Sequence, residues 1–137
     1  MHDMHILNAT TERDGIVTGG SMTAFAAATR TGELLYLSGQ IAPEPDRGPA
    51  STVVSQTEAA YRQVEQLLAS HNLTLQDVRY VTGYLNNPAD FDEYHATWRK
   101  VFPVDPPART TVAAAILADN ALIELSVIAA LTTHPGD

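Results

Sequence analysis

The chain has 137 residues and a hydrophobic fraction of 45%, which is enough for a single globular domain with its own core. Its formal net charge is −8 and its eight Lys and Arg residues are scattered, which argues against a nucleic-acid-binding protein, since such proteins need clustered basic side chains. The absence of cysteine excludes disulfides, thiolate nucleophiles and cysteine-ligated zinc, and with no signal-like start or membrane-length apolar run we expect a cytoplasmic protein without membrane contacts.

The N-terminal part of the sequence predicts an irregular lead, with at most one short strand, followed by a β-hairpin. Residues 1–20 are polar and interrupted by glycines, and we interpret their two histidines as exposed side chains rather than metal ligands. Residues 23–30 are short for a helix, and the turn Thr31-Gly32-Glu33 leads from them into the apolar run 34–41, which is typical of a hairpin. Within that run, the glycine of Ser38-Gly39-Gln40 indicates either a bulge or a close approach of the backbone to a ligand.

Two amphipathic helices and a strand follow. A first helix, capped within the pair Ser51-Thr52, is predicted to end at Asn72, because apolar residues recur along it at helical spacing. Residues 78–85 are rich in β-branched and aromatic residues and alternate as in a strand. A second helix, from Phe91 to Phe102 with Asp90 as its cap, carries an apolar and aromatic face.

The C-terminal third combines two charged side chains with two apolar runs. Arg109 lies just before the apolar run 112–117, and Glu124 lies inside the apolar run 121–131. The short turn-like segment 118–120 between the runs predicts an antiparallel pair of strands, which would bring the two charges close together.

The resulting order, β-β-α-β-α-β-β, predicts an α+β fold in which a mainly antiparallel sheet carries both helices on one face. Every residue from 112 to 117 is apolar, so both faces of the predicted strand are hydrophobic and should pack against other parts of the protein or a partner. We therefore expect a homo-oligomer formed by a single domain over residues 1–137, with a loose tail at 132–137.

An ionised side chain within an apolar strand is costly unless it has a partner or a function. Arg109 and Glu124 therefore have two interpretations. They form a ligand site, in which arginine offers its planar fork to a carboxylate and the glutamate acts as a base, or they neutralise each other at a subunit interface.

Several short motifs, in order and at the right spacing, resemble the YjgF/RidA family (reactive intermediate deaminase A) over roughly residues 22–131. These motifs are the strand Gly32–Gln40 with its terminal Ser-Gly-Gln, Gln56-Thr57, Leu67-Leu68, Leu75-Gln76-Asp77-Val78, Asp90-Phe91, Phe102, Pro107-Ala108-Arg109-Thr110 and Ile123-Glu124.

The resemblance implies a chorismate-mutase-like fold and a homotrimer with three clefts between subunits. It also implies hydrolysis of enamines and imines, released by pyridoxal-phosphate enzymes, to 2-oxo acids and ammonia, without a cofactor or a metal. Carried over by position, Arg109 would hold the substrate carboxylate, Glu124 would position or activate water, and the backbone near Thr111 would orient the substrate. Ser38 and Gly39 complete the expected substrate contacts.

Three expected site residues depart from the family pattern. Phe25 stands where many members have tyrosine, Thr111 where cysteine is common, and His95 where the deaminase branch has asparagine. Loss of a tyrosine hydroxyl changes the specificity of a polar site. His95 is either a helix-surface residue or, if it faces the cleft, an additional titratable group. These departures indicate a relative with an altered substrate.

Three other functions remain open. The same scaffold could carry a different reaction, such as a tautomerisation, a cyclisation or another hydrolysis, in a dedicated pathway. It could also be a non-catalytic trimer that binds small acids. Ribonuclease activity, which is attached to this family by name, is the weakest of the alternatives because the chain is acidic and lacks a basic patch.

Overall fold

The computed structural model describes residues 11–13, 16–18 and 24–131, and most of the N-terminal lead and the C-terminal tail lie outside this range. In the described part a single sheet has the strand order β1-β2-β3-β4-β7-β5-β6. The strands are β1 (Thr11–Arg13), β2 (Ile16–Thr18), β3 (Ala26–Thr31), β4 (Leu34–Leu37), β5 (Val78–Leu85), β6 (Ala108–Ala113) and β7 (Ile123–Ala130). The helices are α1 (Val53–Ala69) and α2 (Phe91–Val101).

The α+β architecture is confirmed. The sheet is mainly antiparallel: among the described strands, β5 and β6 pair in parallel and the other neighbouring strands pair antiparallel. Both helices pack on one face, where their buried side chains share one core with alternate residues of β5 and β7. None of the helices in the described residues has the length and apolarity needed to cross a bilayer.

Local signals explain the helix boundaries. Thr52 caps α1 by a capping box with Ser55, which satisfies two backbone N–H groups at the start of the helix. Asn72, with φ of +60°, ends the region in the left-handed conformation that asparagine tolerates. The predicted capping of α2 by the Asp90 side chain is wrong, because Asp90 belongs to a short 3-10 turn that Asn87 caps instead.

The first hairpin forms as predicted, and its strand is interrupted at the glycine. Gly32, with φ of +58°, makes the tight turn between β3 and β4. The strand β4 ends at Leu37, and Gln40 then forms an isolated bridge with Leu125 of β7. The predicted continuous strand over 34–41 is therefore replaced by a short strand, a break at Ser38-Gly39 and a single bridge.

The predicted antiparallel pairing of the last two strands is wrong. Strand β6 spans 108–113 rather than 112–117, and it pairs in parallel with β5. Strand β7 pairs with the opposite edge of β5, so β5 lies between the two strands. The physical reason is that residues 114–122 form a loop long enough to pass over β5.

A buried arginine fixes the loop that leads out of the first hairpin. The side chain of Arg47 is 4% exposed; its Nη1 donates to the carbonyl of Ala42 at 2.6 Å and its Nε to that of Asp119 at 3.0 Å. The side chain of Gln56 on α1 binds the same segment before β7: it donates to the Asn120 carbonyl and accepts from the Leu122 N–H. The loops before α1 and before β7 are thereby held together.

Replacement of Arg47 by methionine is expected to lower the free energy of unfolding by about 2–4 kcal/mol, because the buried Ala42 carbonyl and the partly buried contact with the Asp119 carbonyl lose a charged donor. Urea denaturation measures this change. Arg62→Met, an exposed position on α1, is the matched control and should have little effect. An Arg47→Met variant as stable as the control would show that this contact contributes nothing.

Candidate functional site

Arg109 projects from β6 onto the helix-bearing face of the sheet. It pairs in register with Val81, which is fully buried in the core between sheet and helices, and paired residues of neighbouring strands share a face. The guanidinium lies against aromatic rings of α2, with its Cζ 5.0 Å from the centroid of Trp98 and 5.7 Å from that of Phe91. Such cation–π contacts hold an arginine without neutralising its charge.

His95 and Thr111 lie on the same side as Arg109. The ring of His95 stacks on Phe91 with centroids 5.6 Å apart, and Thr111 follows Arg109 by two residues in β6 and so shares its face. Within the described residues, Arg109 Nη1, Thr111 Oγ1 and His95 Nδ1 are buried without a hydrogen-bond partner. Buried polar atoms in this state are costly, and several in one place are typical of a ligand or water site.

Two buried tyrosines lie behind the arginine. Burial raises the pKa of Tyr61 and of Tyr94, whereas the nearby positive charge of Arg109 lowers each pKa by a smaller amount. Each hydroxyl perturbs the pKa of the other, although neither forms a hydrogen bond of regular geometry among the described residues. Both phenols therefore stay neutral at physiological pH.

The raised pKa values predict a loss of stability at high pH. The unfolded chain releases the phenol protons near pH 10, whereas the folded chain keeps them, so the free energy of unfolding is expected to fall as the pH rises above about 10. Urea denaturation between about pH 8.5 and about pH 10.5 measures the slope. Tyr61→Phe should reduce it, and equal slopes for the variant and the original chain would contradict the assignment.

Glu124 lies on the other face of the sheet. It pairs with Tyr84 of β5, whose side chain points away from the core, and it is half-buried. A pocket of about 310 Å³ opens beside it, lined by Gly39, Tyr84, Glu124, Ser126 and residues 114–117. The backbone of Gly39 thus lines this pocket, in the break that follows β4.

Arg109 and Glu124 therefore do not meet within one chain, contrary to the expectation from the sequence. Their partners on β5, Val81 and Tyr84, are three residues apart, and side chains separated by an odd number of positions project from opposite faces of a strand. An ion pair between the two side chains of one chain is excluded by this register.

The remaining expected residues are Ser38 and Phe25. Ser38 precedes Gly39 and donates its hydroxyl to the Ala26 carbonyl at 2.6 Å, and Phe25 precedes Ala26. The helix face thus carries Arg109, Thr111 and His95, whereas Glu124 and Gly39 line the pocket on the open face.

The aromatic residues that hold Arg109 were recognised from the sequence as the apolar face of α2, but their contact with the arginine was not. The signal for the two tyrosines was their phenol groups at otherwise apolar positions, and Gly83 inside a strand was a further signal. The described residues contain no cluster of three or more His, Asp or Glu side chains that could hold a metal ion.

Comparison with known proteins identifies the family of the chain. The profile of the family described as endoribonuclease L-PSP matches residues 18–131. The yeast mitochondrial protein MMF1 is 31% identical over 107 residues, 77% of this chain and 74% of MMF1. The chloroplastic Reactive Intermediate Deaminase A of Arabidopsis thaliana is 31% identical over 109 residues, 78% of this chain and 58% of that protein. AldR of Lactococcus lactis, whose name describes a regulator, is 36% identical over 98 residues, 70% of this chain and 78% of that protein.

Solved structures show the same fold. The crystal structure of yeast Mmf1 matches with a TM-score of 0.73 and 28% identity, covering 82% of this chain and 90% of that one. A Thermotoga maritima protein described as a candidate endoribonuclease matches with a TM-score of 0.72 and 27% identity, covering 82% and 91%. The relatives carry deaminase, endoribonuclease and regulator names, and by the profile match and these identities the chain belongs to the endoribonuclease L-PSP family, which is the YjgF/RidA family.

Proposed function

We propose that the protein hydrolyses small 2-imino acids and their enamine tautomers to 2-oxo acids and ammonia, in clefts between the subunits of a homotrimer. The observation that carries this proposal is the division of the expected site between two faces of one sheet. A half-buried guanidinium stands on one face and a half-buried carboxylate beside a pocket on the other. A site that uses both takes them from different subunits, which agrees with the family resemblance.

In the proposed reaction Arg109 binds the substrate carboxylate with two parallel N–H donors. Glu124 of the neighbouring subunit accepts a proton from water, and the water oxygen forms a bond to the imine carbon. Glu124 returns this proton to the nitrogen, and the second water proton passes from the new hydroxyl to the same nitrogen. The carbon–nitrogen bond then breaks, the nitrogen leaves as ammonia, and the carbonyl of the 2-oxo acid remains. The reaction consumes one water per imine and needs no electron transfer, so the residues of the chain suffice.

The exposed side of the sheet supports the oligomer. Leu34 and Tyr36 of β4 are 37% and 40% exposed on the face that carries no helix, and Val112 of β6 is 40% exposed there. Large apolar side chains on a sheet face are typical of a surface that packs against a partner. A second subunit is the cover that the family resemblance implies.

The position of His95 favours one alternative. It stacks on the phenylalanine that contacts Arg109, and its Nδ1 is buried without a partner among the described residues. A histidine beside a carboxylate-binding arginine could transfer protons in a tautomerisation or cyclisation on the same scaffold. Isomerised substrate without ammonia release would identify that reaction.

Imine hydrolysis tests the proposal directly. An amino-acid oxidase generates 2-imino acids in place, semicarbazide traps them, and added protein is expected to reduce the semicarbazone signal. Arg109→Ala should abolish this effect, because it removes the carboxylate-binding fork. Repeating the assay with small, branched and aromatic amino acids as oxidase substrates ranks the substrate preference of the protein. An Arg109→Ala variant with full activity, or a folded protein inactive on the whole series, would overturn the proposal.

The composition led us to expect a cytoplasmic protein, and the same compartment is part of this proposal. The name of one relative, MMF1, places that protein in mitochondria. Cell fractionation with an antibody to the chain decides between the two compartments.

A further inference from the structure

The hydrogen-bonding capacity of Arg109 exceeds what a substrate carboxylate can use. A guanidinium carries five N–H donors, and a bidentate carboxylate accepts two of them. Aromatic rings cover its faces, and Nη1 is buried without an acceptor in the described residues. An acceptor on the side away from the substrate would hold the fork in one orientation.

Tyr94 occupies the centre of the helix face that contacts Arg109. It lies three residues after Phe91 and four before Trp98, so it projects from the same side of α2 as the two rings under the guanidinium. The side chain is 1% exposed and reaches the strand opposite, where the absence of a side chain at Gly83 leaves space for the phenol. A Cβ added at Gly83 would be only 2.8 Å from Tyr94 Cζ and closer still to its hydroxyl oxygen.

The hydroxyl of Tyr94 therefore lies beside Gly83 of β5, opposite the middle of β6. Gly83 pairs in register with Thr111, and Thr111 lies two residues beyond Arg109 on the same face of β6. The Tyr94 hydroxyl and Arg109 Nη1 are both buried without a hydrogen-bond partner among the described residues. Burial raises the pKa of this phenol, and the positive charge of Arg109 lowers it by a smaller amount. Tyr61 stands behind Tyr94 and is 2% exposed.

A neutral acceptor suits this position better than a carboxylate. An aspartate or glutamate behind the arginine would neutralise the guanidinium and compete with the carboxylate of a ligand. A phenol accepts one hydrogen bond and donates another while carrying no charge. The positive charge then stays available for the ligand.

Building on the proposed function, we propose that Tyr94 is a positioning residue for Arg109. When a carboxylate binds, the neutral Tyr94 hydroxyl, which has no hydrogen-bond partner among the described residues, accepts an N–H of the guanidinium on the side away from the ligand, and the Tyr61 hydroxyl donates to Tyr94. Together they direct the remaining N–H fork toward the carboxylate of the ligand. The site thereby selects ligands with a carboxylate rather than neutral carbonyl compounds.

Trp98 allows this to be measured without catalysis. It is the single tryptophan of the chain and lies under the guanidinium, so its fluorescence should report ligands that bind Arg109. The probes are 2-oxobutanoate and its neutral amide, 2-oxobutanamide. Tyr94→Phe removes the hydroxyl and keeps the ring. Thr97→Val is the matched control, since it removes another buried hydroxyl from α2, one that donates to the Glu93 carbonyl.

Tyr94→Phe is expected to weaken binding of 2-oxobutanoate about tenfold, because a hydrogen bond to a charged group is lost. Binding of the amide should not change, and Thr97→Val should bind both probes as the original chain does. In imine hydrolysis KM should rise by a similar factor while kcat stays within about twofold, because the contact is equal in ground and transition states. Tyr61→Phe should also weaken binding of 2-oxobutanoate, by a smaller factor. This variant replaces Tyr94→Phe in the test if Tyr94→Phe does not fold.

Equal affinities for 2-oxobutanoate in Tyr94→Phe and Thr97→Val, both folded, would overturn this proposal, as would an equal loss for acid and amide. An original chain that binds no 2-oxobutanoate would overturn it as well. An original chain that binds 2-oxobutanoate but does not hydrolyse imines would overturn the proposed function alone, and the effect of Tyr94→Phe on affinity would then still support the positioning role.

Discussion

An equal mixture of Arg109→Ala and Glu124→Gln chains, assembled together, is expected to recover about a quarter of the original imine-hydrolase activity. Each variant alone should lose about 100-fold or more, because each removes one charged partner of the site. In a ring of subunits, a cleft with both functional groups needs the Arg109 side from one kind of chain and the Glu124 side from the other. Random assembly at equal amounts gives this arrangement in one quarter of the clefts.

The expectation follows from the register of the sheet. Arg109 and Glu124 project from opposite faces of one sheet, so one chain cannot bring them to one substrate. Complementation between two inactive variants is the direct consequence of a site divided between chains. A site within one chain would give no recovery at any mixing ratio.

The measurement uses two affinity tags and co-expression, so that mixed oligomers can be isolated before the assay. The matched control pairs Arg109→Ala with the double variant Arg109→Ala/Glu124→Gln, in which no cleft can have both groups. Recovery in the test mixture and none in the control would establish a site shared across the subunit boundary. Mixed oligomers without recovery would show that the two residues do not serve one reaction.

The parts of the fold that the sequence predicted are those set by local patterns. Strand β5 is found over the predicted residues 78–85, and both helices begin and end within a few residues of their caps and breakers. Periodicity and capping act over one or two turns of chain, so they can be read directly. The choice of strand partner depends on contacts between distant residues, and the short turn-like segment before β7 favoured the wrong partner for β6.

The site was predictable to a similar extent. Its residue types could be named from motifs, but the face on which each projects depends on the register of two strand pairs, and a shift of one residue reverses it. The division of Arg109 from Glu124 therefore became visible only with the pairing of both residues to β5. The contact of Tyr94 with Gly83 is likewise between distant positions: a glycine inside a strand indicates a close approach, but not which residue makes it.

That contact gives the second large effect. Gly83→Ala is expected to destabilise the protein by about 1–3 kcal/mol, because the added methyl group would overlap the phenol of Tyr94 in a closely packed core. Gly48→Ala is the matched control: nothing lies within 4 Å of the added Cβ, and φ is −70°. The control should be neutral or stabilising by a few tenths of a kcal/mol, about the size of the entropy gain for a compatible glycine replacement. Urea denaturation measures both.

A double variant separates overlap with Tyr94 from a general need for glycine in β5. In Gly83→Ala/Tyr94→Leu the shorter side chain makes room for the new methyl group, so the two changes together should cost less than the sum of the single costs by about 1 kcal/mol or more. Gly83→Ala/Tyr94→Phe should recover less, because the ring carbon Cζ, 2.8 Å from the added Cβ, remains. If glycine were needed for its backbone alone, the costs would add in both double variants. Coupling with leucine, and weaker coupling with phenylalanine, would instead show that the phenol of Tyr94 occupies the space beside Gly83.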